Sequence, residues 1–151
     1  MRYYQFLFDS IYTKQQASHL ADQLQRLEEE TYRVDGNFKK KITSLLPYET
    51  TMNVIDLLVK KGIDMKESRQ LQQFVQEIKA ELNNLPTISI YLAIDPTEEV
   101  VKAISRWFTD NLSLKVLLSI TVSPTLIGGI QILYKGLIRD YSLRKTLDGQ
   151  F

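Results

Sequence analysis

The stretch Ser123-Pro124-Thr125-Leu126-Ile127-Gly128-Gly129-Ile130-Gln131-Ile132, followed by Asp140-Tyr141-Ser142-Leu143-Arg144-Lys145-Thr146-Leu147, decides how this chain folds. Its pieces come in a fixed order: a strand, a turn running from Pro124 to Gly128-Gly129, a hairpin and a short capped helix. Pro124 fixes one end of the turn and removes a backbone donor. The glycine pair precedes Ile130 and Ile132, not a helix. It therefore predicts a bend with positive φ or a close chain approach, and not a phosphate cradle. Ile130, Ile132 and Tyr134 alternate, and Lys135-Gly136 before Leu137-Ile138 reads as a tight hairpin. Asp140 and Ser142 can each cap the last helix.

Working back from this stretch, Leu114, Val116, Leu118, Ile120 and Val122 alternate with Lys115, Ser119 and Thr121, which is strand spacing. Before it, Asp95-Pro96-Thr97-Glu98 opens a helix, with Asp95 as cap, Pro96 at the first helical position and an acid at the third. Val100, Val101, Ile104, Trp107, Phe108 and Leu112 make its inner face. Trp107 is read as core, with its indole nitrogen at an edge. Ile88, Ile90, Leu92 and Ile94 give an earlier strand, beginning where Pro86 ends the helical pattern.

The first 85 residues read as helix after helix. Thr13 with Gln16 matches a capping box, and Ala17, Leu20, Ala21, Leu24, Leu27 and Val34 recur at helical steps until Gly36. Tyr48 to Lys61 predicts a second helix that Gly62 stops in the left-handed conformation. Asp64 and Glu67 form a further capping box before Leu71, Phe74, Val75, Ile78, Leu82 and Leu85, the clearest amphipathic pattern in the chain. A short helix from about Tyr3 to Ile11 precedes them. The expected fold class is α+β: a shortened N-terminal helical bundle over 1–85, then a strand-helix-strand-hairpin-helix domain over 86–151.

Composition narrows the function. The 151 residues include 19 Lys and Arg against 18 Asp and Glu, and neither half is a polycation, so nucleic acid is a poor partner. There is no cysteine, which excludes disulfides and thiolate chemistry. No window approaches the roughly 18 apolar residues of a membrane span, and Met1–Tyr12 lacks the pattern of a secretory signal. A soluble cytoplasmic protein is expected.

No set of residues matches catalytic or metal chemistry. His19, the only histidine, has no partner at ligand spacing. Glu98-Glu99 fall in a first helical turn, where negative charge favours the dipole, and Glu28-Glu29-Glu30 point in different directions around a helix. Lys39-Lys40-Lys41 reads as a solvated helix face. Tyr3, Tyr4, Phe6, Phe8 and Tyr12 have only Arg2 and Lys14 beside them, so a core helix or a docking surface fits better than base stacking. No cofactor, catalytic residue or metal site is expected.

Val122-Ser123-Pro124-Thr125-Leu126-Ile127-Gly128-Gly129 with Asp140-Tyr141-Ser142-Leu143-Arg144 and Leu147 resembles the C-terminal signature of the delta subunit of F-type ATP synthases, also called the oligomycin-sensitivity-conferring protein family. Ser123 stands where that pattern usually has Asp, and Tyr141 where it usually has Gly. The resemblance covers about Thr87 to Phe151, and Tyr4-Gln5-Phe6-Leu7-Phe8 is similar to the family's aromatic opening helix. It implies a noncatalytic stator subunit linking the catalytic head to the peripheral stalk in proton-driven ATP synthesis, held at the inner face of the cell membrane through the complex. The implied partners are the N-terminal segment of an alpha subunit and the C-terminal helix of the b subunit, recognised as helices in grooves. Phe6, Phe8, Leu20, Leu24 and Leu27 are the candidate head contacts, and Leu143, Leu147 and Phe151 the candidate stalk contacts. Each of these residues also fits internal core. An unrelated helical adaptor is the other reading open to the sequence.

Overall fold

The computed structural model describes residues 2–33 and 37–142. A 3-10 turn over Arg2–Phe8 leads into α1 (Lys14–Thr31), α2 (Phe38–Leu45), α3 (Tyr48–Lys61) and α4 (Ser68–Asn83). Then come β1 (Thr87–Leu92), α5 (Glu98–Leu112), β2 (Leu117–Val122), a 3-10 turn at Pro124–Leu126, β3 (Gly129–Tyr134) and β4 (Leu137–Ser142). The fold is mixed, helices first and a strand-helix-strand domain after, as the spacing predicts. The chain divides into two compact units. One gathers the segment ending at Ile11 with Gln16–Asn84, and the other gathers Tyr12–Gln15 with the chain from Leu85 onward.

The N-terminal unit is built on helical periodicity. Leu20, Leu24 and Leu27 of α1, Val54, Leu57 and Leu58 of α3, and Leu71, Phe74, Val75, Ile78 and Leu82 of α4 are all buried. Each such side chain contributes about 1.5–3 kcal/mol when fully removed from water. Gly62 stops α3 at φ 66°: its amide donates to the Val59 carbonyl, and the Ile63 amide donates to the Leu58 carbonyl. That bond pair closes the helix end in a left-handed cap.

Three local features differ from the sequence reading. The Lys39–Lys41 run does lie on a helix, but one whose limits the spacing did not give: α2, whose first turn is capped by the Asn37 side chain accepting from the Lys40 amide. Phe38 and Ile42 hold it down while the lysines face outward or pair. Asp64 and Glu67 do not box the start of α4. The Asp64 carboxylate accepts from the Lys66 amide at 2.9 Å in a tight turn, and the helix begins at Ser68. The opening segment is a short helix as expected, but of 3-10 type and ending at Phe8, short of Ile11. Val34 and Gly36 lie outside the described residues.

In the C-terminal unit the sheet order is β2-β1-β3-β4. Strands β1 and β2 are parallel, joined by α5, while β1–β3 and β3–β4 are antiparallel. The edge strand β2 also receives the chain just before α1, where the Leu118 amide donates to the Tyr12 carbonyl at 2.9 Å. Ile88, Ile90, Val116, Leu118 and Phe108 form the core, with Ile104, Leu112, Ile120, Ile130 and Ile132 packed around it.

The part of the deciding stretch up to Ser142 forms the expected bend and hairpin, and the expected last helix lies outside the described residues. Positive φ falls on Ile127 (68°) and Gly129 (78°). A Cβ on Gly129 would strike the Tyr141 carbonyl oxygen and lie 2.9 Å from the Ser142 Cα, so a close chain approach requires glycine here. Lys135 and Gly136 both take positive φ between the paired residues Tyr134 and Leu137, the two-residue turn that matches strand twist. Asp140 has a strand role that its spacing did not suggest. It lies in β4, its carboxylate accepting from Gln131 Nε2 at 3.2 Å and from the Ser142 amide at 2.8 Å. The return strand therefore runs four residues past Ile138 to Ser142, with Tyr141 in extended pairing opposite Ile130. The cap of α5 is also shifted. Thr97, not Asp95, accepts from the Val100 amide at 3.3 Å, because Glu98 is the first helical residue.

Candidate functional site

Helix α5 covers only part of its sheet. A helix with its side chains is about 10 Å wide, whereas four strands at about 4.8 Å spacing span close to twice that. Among the described residues, what remains uncovered on the α5 side is a groove of about 440 Å³ lined by Ala103, Ile104, Trp107 and Phe108 of α5 and by Ile130, Ile132 and Tyr141 of the hairpin. The lining follows from strand register. Ile130 opposes Tyr141 and Ile132 opposes Arg139, so alternate residues of β3 and β4 face the helix.

Trp107 is the clearest departure from the sequence reading. It is 59% exposed, while its neighbour Phe108 is buried and meets it edge-to-face at 5.0 Å. Consecutive helical residues differ by about 100° in direction, so only one of the two can enter the core. Trp107 instead forms one wall of the groove, and Tyr141, 65% exposed, lies on its floor. Val100, on the same flank of α5, is exposed as well.

A second apolar surface lies on the N-terminal unit. Helix α3 buries Val54, Leu57 and Leu58, yet Tyr48, Met52 and Val59 are 79%, 49% and 66% exposed, with Ile55 half-buried between them. Positions 48, 52, 55 and 59 repeat at steps of four, three and four, which places them within about 60° around the helix. This is the spacing of a helix-packing seam, facing away from the unit's own core. The sequence does contain this spacing, but it reads equally as a core face.

The five candidate head contacts lie elsewhere. Phe8, Leu20, Leu24 and Leu27 are buried inside the N-terminal unit and Phe6 is half-buried. The structure brings them into the interior and not onto a surface. Leu143, Leu147 and Phe151 fall outside the described residues. Of the turn motif, Pro124 and Gly129 are exposed, Gly128 and Asp140 half-buried and Ser142 buried, all as parts of the hairpin and the bend before it.

Polar groups in the N-terminal unit tie helices together. Glu28 of α1 pairs with Lys79 of α4 at 2.6 Å and accepts from Gln76 at 2.9 Å. The Lys79 hydrogen bond holds the Glu28 carboxyl below its usual range against the opposing effect of burial. Tyr4, Lys61 and Glu77 form a second cluster, in which Lys61 pairs with Glu77 at 3.1 Å and lies over the Tyr4 ring. There the Tyr4 hydroxyl and Lys61 lower the Glu77 carboxyl, and Lys61 is raised, chiefly by its bond to Tyr4. These groups are mutually satisfied. Among the described residues, no group of three or more His, Cys, Asp or Glu is placed to hold a metal, and no helix is long and apolar enough to cross a membrane.

Compared with known families, residues 13–149 match the sequence model of the ATP synthase delta (OSCP) subunit. The match extends through the N-terminal helices, well beyond the C-terminal stretch that carried the resemblance. No curated protein matches the chain.

Proposed function

The chain belongs to the ATP synthase delta (OSCP) subunit family, and from that premise we propose that it is a noncatalytic stator adaptor that grips one helix with each of its two units. The N-terminal unit takes the N-terminal segment of an alpha subunit of the catalytic head. The C-terminal unit takes the C-terminal helix of the stalk b subunit. Joined in this way, head and stalk resist the torque of the rotating shaft during proton-driven ATP synthesis, and the protein is held at the inner face of the cell membrane through the complex.

The observation that carries the reading is the pair of unpartnered apolar faces, one on each unit. An adaptor needs two such faces. The α3 seam of Tyr48, Met52, Ile55 and Val59 suits the packing of one apolar helix stripe. The groove between α5 and the β3–β4 hairpin suits an amphipathic helix whose apolar side replaces water over Trp107 and Tyr141. Phe8, Leu20, Leu24 and Leu27 then hold the unit that displays the seam, and a partner would reach them only by opening that unit. Leu143, Leu147 and Phe151 remain proposed stalk contacts. The family match sets aside the unrelated adaptor that the sequence alone left open.

Calorimetric titration tests this directly, using an alpha N-terminal peptide and a b C-terminal helix peptide from the same genome. Each is expected to bind one-to-one, and the second is expected to bind undiminished when the first is saturating. Competition between the peptides for one site, or no binding by folded protein, would overturn the two-faced reading.

A further inference from the structure

We propose that the helix entering the α5–β3–β4 groove carries a carboxylate beside its apolar stripe, and that Arg139 receives this carboxylate. The inference rests on the docking reading above and adds the chemistry of the partner. Arg139 pairs across the hairpin with Ile132, a residue of the groove lining. Cross-strand partners share a face of the sheet, so Arg139 stands on the groove side, flanked along β4 by Leu137 and Tyr141.

Its charge is uncompensated among the described residues. Asp140 points to the opposite face, where Gln131 and the Ser142 amide occupy it. Glu98 of α5 is paired with Lys102 at 2.9 Å. The lining of the groove is apolar or aromatic throughout, and Arg139 borders it as the cross-strand partner of Ile132. An exposed guanidinium can rest its stem on this surface and keep its head in water. Once a helix covers the groove that hydration is lost, and an apolar helix alone would strand the charge. A carboxylate on the incoming helix replaces the lost water with a bidentate, charge-assisted pair.

The test is a double-mutant cycle by calorimetry, with fold checked by circular dichroism. The b C-terminal helix peptide, and versions with each acid changed singly to Gln, are titrated into the native protein, Arg139→Gln and Trp107→Glu. One acid-to-Gln change is expected to weaken binding about tenfold to the native protein. The same change should have little further effect on Arg139→Gln, and the native pair should weaken more steeply with salt. If no acid couples to Arg139 while Trp107→Glu still abolishes binding, the groove reading stands and this inference falls. If Trp107→Glu binds like the native protein, the peptide does not use the groove, and both fall.

Discussion

In the N-terminal unit, the helices turn Leu24, Leu58 and Phe74 inward from several sides, and each is almost wholly enclosed. Among the described residues of the C-terminal unit, one helix lies on a sheet wider than itself, and Trp107 and Tyr141 stand exposed beside it. The same kind of apolar residue thus serves different ends. Where neighbours surround a face, apolar spacing produces core. Where a layer is incomplete, it leaves apolar surface exposed, the surface proposed above for docking. The α3 helix contains both cases, because it is packed on one side and bare on another.

The sharpest test of the enclosed side is Leu24→Ala. Leu24 is 1% exposed, so the change removes buried methyl groups and leaves a cavity, at an expected cost of about 3–4 kcal/mol. Urea denaturation followed by helical circular dichroism measures it. A cost below about 1 kcal/mol would mean that the bundle is loosely packed and that Leu24 could be opened to a partner after all. Next in size is Gly129→Ala in the other unit. The added Cβ meets the β4 backbone, and the position keeps a positive φ, so the expected loss is about 2–3 kcal/mol. Amide exchange should speed first in β3 and β4, and unchanged protection there would show that the strands can separate slightly at no great cost.

Acid separates the units by a different property. Glu28 and Glu77, both in the N-terminal unit, have carboxyls held below the ordinary 4.5, Glu28 first by Lys79 and Glu77 first by Tyr4. Groups with depressed values contribute stability that is present above the unfolded value and lost as pH falls through the folded one. The melting temperature of the N-terminal helices is therefore expected to drop as pH falls below about 4.5, and Glu28→Gln should flatten part of that drop. Equal pH dependence in native protein and Glu28→Gln would remove Glu28 from the account.

How much of this was legible depended on whether the signal was local. The limits of α3 follow from Tyr48–Lys61 spacing and Gly62, and the hairpin from Lys135-Gly136, because caps and turns are set by a few adjacent residues. Helix α2 escaped because its lysine run hides the two apolar residues, Phe38 and Ile42, that hold it in place. The length of β4 escaped because Asp140 and Ser142 read as the approach to a helix, and only the strand register sets them opposite Gln131 and Gly129. Trp107 and the α3 seam escaped for a common reason. Exposure is a property of neighbouring layers, and spacing alone gives the stripe without telling which side of it is filled. The same limit placed Leu20, Leu24 and Leu27 among the candidate contacts.

Trp107→Ala should distinguish stability from binding within the C-terminal unit. Most of the indole already lies in water, so the expected cost is no more than about 1 kcal/mol, while binding of the b peptide should weaken by at least tenfold. A large loss of stability would instead make Trp107 part of the core, as its spacing first suggests.

The smallest expected effect on folding, and the most telling for the comparison, belongs to Val59→Lys. Val59 is in the last turn of α3, is 66% exposed and lies on the bare seam. Lysine is a better helix former than valine by a few tenths of a kcal/mol, and a cation near a helix C-terminus is favourable to the dipole. Stability should therefore stay level or rise by up to about 0.5 kcal/mol. Binding of the alpha peptide should nevertheless collapse, since a solvated ammonium would have to be buried against an apolar stripe. A stabilising change that destroys function is what a surface kept apolar for a partner predicts. If Val59→Lys leaves alpha-peptide binding intact, the seam is only incidental apolar surface, and the N-terminal unit must take hold of its partner by some other face.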